Sequence, residues 1–315
     1  MVKVYLAGKN GLLGSFLYQD LQASACDFVA TSSHELDLRD RAAVRAFFDH
    51  HRPSHTILSA ARTGGLLANQ NVPLEFLEDN ISIQQNVFNA AYEFNCKTVI
   101  FIASSTVYPE AASQPFDESA LFSGKLHPSI ASYGYAKLLG VHSAQIYNNY
   151  CGMDIRCIIP CNLYGPTDKF DAKNKHVIPA LIDKFLHAKM LGSRFVEILG
   201  SGLARREFLY AADASNFIIN YCINTSSGQW LKACHPENFC INIGAEDDVK
   251  IRDLVEKIRV LTQYSGEIRY KYDKNDGILA KKVSCKRARS LGWRPKVPLE
   301  IGLARTIEMR EGALK

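Results

Sequence analysis

The chain has 315 residues, 47% of them hydrophobic and 22% charged, which is the composition of a globular protein able to bury a sizeable core. Its net charge of +5 is scattered, with no basic block or aromatic-interleaved basic stripe, so an anionic small ligand is expected and nucleic acid is not. The nine cysteines include no Cys-x-x-Cys, and Cys151, Cys157 and Cys161 match no metal-site spacing; reduced thiols in or near the core are expected, and no metal.

Val2 to Ala7 is a short β-favouring apolar run of the kind found in a central parallel strand. No signal peptide precedes it and no apolar run reaches spanning length, so a cytoplasmic protein without a membrane partner is expected. The strand breaks into Gly8-Lys9-Asn10-Gly11-Leu12-Leu13-Gly14, followed by a helical pattern through Leu17, Leu21 and Ala23. Glycines at such a turn permit positive φ and close approach of backbone to a ligand, and the helix start offers N–H groups to a diphosphate. A glycine-rich turn between strand and helix predicts dinucleotide binding, with Gly8, Lys9, Asn10, Gly11, Leu12 and Leu13 at the cofactor. The spacing is Gly-x-x-Gly-x-x-Gly, not the commoner Gly-x-Gly-x-x-Gly.

Phe28 to Thr31 reads as the second strand. Its end carries Thr31, Ser32 and Ser33, with no acid for a ribose 2′-hydroxyl and no arginine for a 2′-phosphate. Lys9 and His34 are the available substitutes, and NADP(H) is expected ahead of NAD(H). Glu35 to Leu38 reads as a short strand and Arg41 to His51 as a helix. His50, His51 and His55 fall across a helix end and a proline, which suits a surface and not a metal site. Thr56 to Ala61 is the next strand; the small residues Ala60, Ala61, Gly64 and Gly65 at its end admit a cofactor, and a helix follows through Ile81, Val87 and Ala91.

Thr98 to Ala103 is a buried strand with Ser104, Ser105 and Thr106 at its carboxyl end, where open parallel sheets bind ligands. Tyr133 and Lys137 then stand four apart on one helix face. A free tyrosine titrates near about 10, and a nearby ammonium lowers that value, which would make Tyr133 a general acid or base. Ile155 to Ile159 is a further strand, ending in Pro160-Cys161-Asn162-Leu163-Tyr164-Gly165-Pro166. This alternation predicts an α/β fold, a Rossmann-type doubly wound parallel sheet. Beyond Pro166 it loosens: residues 176–189 and 249–261 read as helices, 198–202 as a strand and turn. Residues 1–165 are expected to form the dinucleotide-binding domain. Residues 166–315 would be a smaller α/β substrate domain, with segments able to cross back.

Together these segments resemble the extended short-chain dehydrogenase/reductases, and within them the GDP-L-fucose synthases. The resemblance spans nearly the whole chain. It rests on Gly8–Gly14, Glu35-Leu36-Asp37-Leu38, Ala60-Ala61 with Gly64-Gly65, Ser104-Ser105, Tyr108-Pro109, Tyr133/Lys137 and Asn162–Pro166. Further matches are His176-Val177-Ile178-Pro179-Ala180-Leu181, Arg206-Glu207-Phe208-Leu209, Asp276-Gly277 and Leu291-Gly292-Trp293. The resemblance implies NADPH on the first domain, a GDP-linked 4-keto-6-deoxy sugar in the cleft, and a homodimer. It implies that Ser104 bonds the C4 carbonyl oxygen, Tyr133 protonates that oxygen, and Lys137 holds the ribose. It further places Pro160, Asn162, Leu163 and His176 beside the cofactor, and Ser105, Thr106, Asn162, Lys184, Leu199, Arg206 and Lys281 beside the substrate, with Arg206 and Lys281 on the diphosphate.

The chain departs from that pattern where a fucose synthase inverts C3 and C5. The family uses a histidine, here His176, and a cysteine whose position is Thr106. A thiol ionises near about 8.5, whereas a threonine hydroxyl does not ionise in the working range. Sugar 4,6-dehydratases carry a glutamate at that point and 4-epimerases a threonine, so dehydration is not expected. The expected activity is C4 reduction without efficient C3/C5 epimerisation. Alternatives are the bifunctional synthase, with Cys161 a candidate proton source, and a non-enzymatic dinucleotide-binding sensor. Lys184 replaces a usual arginine, Leu199 a frequent tryptophan, Ala280 an arginine and Ser284 an aspartate, so the sugar pocket is expected to be remodelled.

Overall fold

The computed structural model describes residues 3–168, 170, 175–234, 239–271 and 278–314. The Asp276-Gly277 match lies outside them. The first half alternates as its apolar runs require: β1 Lys3–Ala7, α1 Leu12–Ala23, β2 Asp27–Thr31, α2 Arg41–His51, β3 His55–Leu58, α3 Leu66–Asn71, α4 Pro73–Glu93, β4 Thr98–Ile102, α5 Ala131–Cys151 and β5 Asp154–Pro160. Asp40 starts α2 by accepting the amides of Ala42 and Ala43. Pro73 opens α4, where its missing N–H costs nothing.

The second half follows as β6 Asn162–Tyr164, α6 Val177–Met190, β7 Phe195–Leu199, β8 Arg205–Tyr210, α7 Ala211–Phe217, α8 Ser227–Ala233, β9 Cys240–Ile243, β10 Asp248–Lys250, α9 Ile251–Leu261, β11 Glu267–Lys271, β12 Ala280–Lys281, α10 Lys286–Ser290 and α11 Leu299–Leu314. The main sheet runs β2-β1-β3-β4-β5-β9, parallel throughout. It is the expected doubly wound sheet, and its order reverses between β1 and β3, the switch point where such sheets bind nucleotides. Its sixth strand, β9, comes from the second half and pairs with β5, Cys157 opposite Cys240. A smaller sheet has β8 at its centre, between β10 and β12 and paired also with β6. Strands β7 and β11 make a separate parallel pair.

Two apolar clusters follow this division. One lies under the main sheet and takes in Phe217, Trp230 and Trp293 from the second half. The other joins Tyr164, Phe185, Phe208, Tyr210, Leu254 and Ile307.

Residues 35–38 are not a strand. The Ser32 carbonyl accepts the amides of Glu35 and Leu36, which closes a turn, and the Glu35 carboxylate returns to the Ser32 amide at 2.7 Å. Leu36 and Leu38 are both buried as anchors of that turn, which imitates the alternation of a strand. Strand β7 begins three residues before the expected Ile198, with glycines of positive φ at 200 and 202 ending it. Of the run Leu138–Val141, Leu139 is exposed while its neighbours are buried.

Candidate active site

The glycine loop meets the requirements of a diphosphate cradle. Gly8 has φ +93°, and a Cβ there would lie 2.8 Å from the Ala60 backbone. A Cβ on Gly14 would lie 1.9 Å from the Gly8 carbonyl oxygen, so α1 packs against the loop as only glycine permits. Gly11 caps helix α1, so no side chain bonds its first amides. Backbone donors at a dipole's positive end, with no side chain in the way, fit a dinucleotide's pyrophosphate. Asn10 is exposed, Leu12 half-buried and Leu13 buried, while Ala60 and Ala61 are half-buried at the end of β3.

The Asn162–Pro166 segment is brought to the same place. The Ser15 hydroxyl meets the Thr167 hydroxyl at 2.7 Å, and a Cβ on Gly165 would lie 3.3 Å from Leu12. Asn162 donates to the Glu207 carbonyl at 2.8 Å, which fixes β6 to β8. Pro160 is buried at the end of β5 and Leu163 half-buried.

Ser104 starts a 3-10 turn over Ser105–Val107, its hydroxyl accepting the Thr106 amide at 3.3 Å. Ser105 is buried. The Tyr133 phenol is in hydrogen-bond contact with Ser104, and its ring meets Phe76 edge-on at 6.3 Å. Gly134 permits this: a Cβ there would lie 2.9 Å from the Thr106 carbonyl oxygen. Gln84 of α4 holds α5 by donating to the Ala136 carbonyl at 2.7 Å. Phe76, Gln84 and Gly134 escaped the sequence reading, since their only signal was adjacency to the Tyr/Lys helix or its partner.

The charge states differ from the expected lowered phenol. Burial pushes the Tyr133 phenol well above its usual range, and the Ser104 contact only partly offsets it. Lys137 is 3% exposed, and its ammonium donates to the Ile102 carbonyl at 2.8 Å and lies 4.8 Å from the Phe101 ring centre. Burial lowers it to about 7. Its charge is thus spent on the end of β4, not on the phenol.

Thr106 has a buried hydroxyl oxygen with no hydrogen-bond partner among the described residues. His176 stands half-buried just ahead of α6 and makes no capping hydrogen bond. A Cβ on Gly65 would lie 2.3 Å from the carbonyl oxygen of Lys175, so the His176 segment abuts the loop after β3.

Arg206 and Lys281 are Cα partners across β8 and β12. Lys281 is 8% exposed and makes no hydrogen bond or ion pair among the described residues. Burial and then the Arg206 charge lower it to about 7, and burial lowers Arg206 as well. Lys281 is thus buried and Arg206 half-buried beside it, an arrangement whose charges could take a diphosphate. The other two substrate-side candidates are apart from these contacts. Lys184 is exposed and donates to the Glu197 carbonyl at 2.7 Å, and Leu199 is exposed at the end of β7. Cys161 is buried, and that burial raises its thiol far above the usual range.

The match with known proteins runs through all of this. GDP-L-fucose synthase 1 of Arabidopsis thaliana is 37% identical over 97% of this chain and 92% of its own length. A GDP-6-OMe-4-keto-L-xylo-heptose reductase from C. jejuni superposes with a TM-score of 0.93 at 30% identity, covering 99% of this chain and 98% of that one. MlghC, a GDP-mannoheptose C4 reductase from Campylobacter jejuni with NADP bound, has a TM-score of 0.89 at 30% identity, covering 98% of each chain. The model of the NAD dependent epimerase/dehydratase family matches residues 4–229, and the chain belongs to that family.

Proposed function

We propose that this protein is an NADPH-dependent C4 ketoreductase acting on a GDP-linked 4-keto sugar, without efficient C3/C5 epimerisation. The observation that carries it is the turn at the end of β4. Ser104 contacts a Tyr133 that burial keeps protonated, while Thr106, on the same turn, offers a hydroxyl and not an ionisable group.

The nicotinamide supplies hydride when bound. Ser104 orients the sugar carbonyl oxygen, and Tyr133 gives that oxygen its proton as alkoxide character develops, so a neutral phenol is the state a reductase needs. Lys137 anchors the end of β4 through the Ile102 carbonyl, and in this reading its ammonium would hold a ribose hydroxyl. Arg206 and Lys281 receive the diphosphate, which restores full charge to Lys281. A histidine alone, at position 176, leaves inversion at carbon without an opposing acid. Residues 1–165 would hold the dinucleotide and 166–315 the sugar nucleotide, with β9 crossing back. The free thiols suit a reducing compartment such as the cytoplasm.

The test is turnover of GDP-4-keto-6-deoxymannose with NADPH in deuterated water. NADPH oxidation with no deuterium at C3 or C5 is expected. Deuterium at either carbon at the turnover rate would make the protein a bifunctional synthase.

A homodimer is part of this reading. Helix α5 exposes Tyr135, Leu139, Ile146 and Tyr150 along one face, with Phe122 beside it, an apolar stripe suited to a second copy of itself. Light scattering should give twice the chain mass. Replacing Leu139 and Ile146 with glutamate should halve it, and an unchanged mass would reject this face.

A further inference from the structure

A nicotinamide dinucleotide is told from its 2′-phosphorylated form at the end of the second strand of such a sheet. Here that end is tightly specified. The Thr31 carbonyl accepts the amides of Gly8 and Lys9 at 2.8 and 3.1 Å, which docks the glycine loop against β2. The turn that follows brings Glu35 back, so that its carboxylate accepts the Ser32 amide and hydroxyl, each at 2.7 Å. The other carboxylate oxygen takes the Lys9 ammonium, also at 2.7 Å. Of the guanidiniums farther along the chain, Arg39 pairs with Asp37 and Asp79, and Arg62 pairs with Asp79.

We propose that Lys9 and Glu35 form a single specificity device, and that it leaves the enzyme only weakly selective for NADPH over NADH. The idea rests on the ketoreductase reading. A 2′-phosphate reaching Lys9 must displace a carboxylate or sit beside its charge, and it gains a point charge instead of the paired donors of a guanidinium. A 2′-hydroxyl finds in Glu35 the acceptor that an NAD site supplies from an acid near this strand end. The acid is hidden in the sequence because it stands four residues past the strand, inside what reads as a further strand.

The experiment measures equilibrium dissociation constants for NADPH and NADH by reduced-nicotinamide fluorescence, with no sugar present. The unmodified protein should prefer NADPH by less than about tenfold. Glu35→Gln frees the ammonium and should tighten NADPH by about tenfold while weakening NADH severalfold. Lys9→Gln should bring NADPH down to or below the affinity of NADH. Should Glu35→Gln disturb the turn, Ser33→Arg supplies a guanidinium instead and should raise NADPH selectivity by at least about tenfold. A preference for NADPH above about tenfold in the unmodified protein, or a ratio that Glu35→Gln and Ser33→Arg both leave unchanged, overturns the proposal. Failure of both nucleotides to bind would overturn the ketoreductase reading as well.

Discussion

Lys281 is a charge the ligand-free fold tolerates at a cost, and Lys281→Met measures it. An ordinary lysine titrates at 10.5, and burial beside Arg206 brings this one to about 7. Because the folded value lies below the unfolded one, the unfolded chain holds more protons between those limits, so stability rises with pH across that window. At pH 7 the displacement corresponds to about 4 kcal/mol, and by pH 10 to less than about 1 kcal/mol. Methionine keeps the unbranched stem without the ammonium. The variant should therefore be more stable than the parent by about 2–4 kcal/mol at pH 7, with a gain that shrinks as pH rises. Urea denaturation at pH 7 and pH 9.5 reads the difference, and GDP-sugar titration of the same variant should show affinity falling at least about tenfold. A variant less stable at both pH values, or one whose gain is independent of pH, would refute a buried, unneutralised charge at this position.

Tyr133→Phe should lower kcat by about 10²- to 10⁴-fold with nucleotide affinity unchanged, read as NADPH oxidation beside fluorescence titration. Gly14→Ala places a Cβ 1.9 Å from the Gly8 carbonyl oxygen, so it should cost about 1–3 kcal/mol of stability and weaken both nucleotides, by denaturation and by titration. Lys137 holds its charge only below about 7, so nucleotide affinity should decline as pH rises beyond that value, and Lys137→Met should remove the decline.

The sequence carried the first five strands well because four of them, β1, β3, β4 and β5, are short runs buried on both faces, which few other structures can use. It carried the second half poorly. Strand β9 is only four residues, Cys240–Ile243, and belongs to a sheet whose other strands are all at least eighty residues earlier or joined through β5. No local pattern reports that pairing. Glu35–Leu38 failed for a related reason: two buried leucines at alternate positions serve a turn as well as a strand. The chemistry-bearing residues were legible by type and spacing, but their charge states were not. Those depend on Phe76, on the Ile102 carbonyl and on the register of β8 with β12, all set by tertiary contact.

Those charge states bear on which half of a two-step sugar conversion the site can perform. Epimerisation requires groups that lose and regain protons at carbon near neutral pH, hence values drawn toward 7 from both sides. Among the groups at this turn burial works the other way: it holds the Tyr133 phenol protonated, and Thr106 has nothing to ionise. The Cys161 thiol is also held protonated, because its burial outweighs the Ala245 amide and the Lys281 charge that favour the thiolate, so it does not supply the missing base. Reduction asks for less. The hydride comes from outside the protein, and one neutral phenol next to one hydroxyl suffices to collect the resulting alkoxide. A site can therefore lose inversion through a single thiol-to-hydroxyl exchange and keep reduction intact, because the proton of the reductive step never passes through the exchanged position.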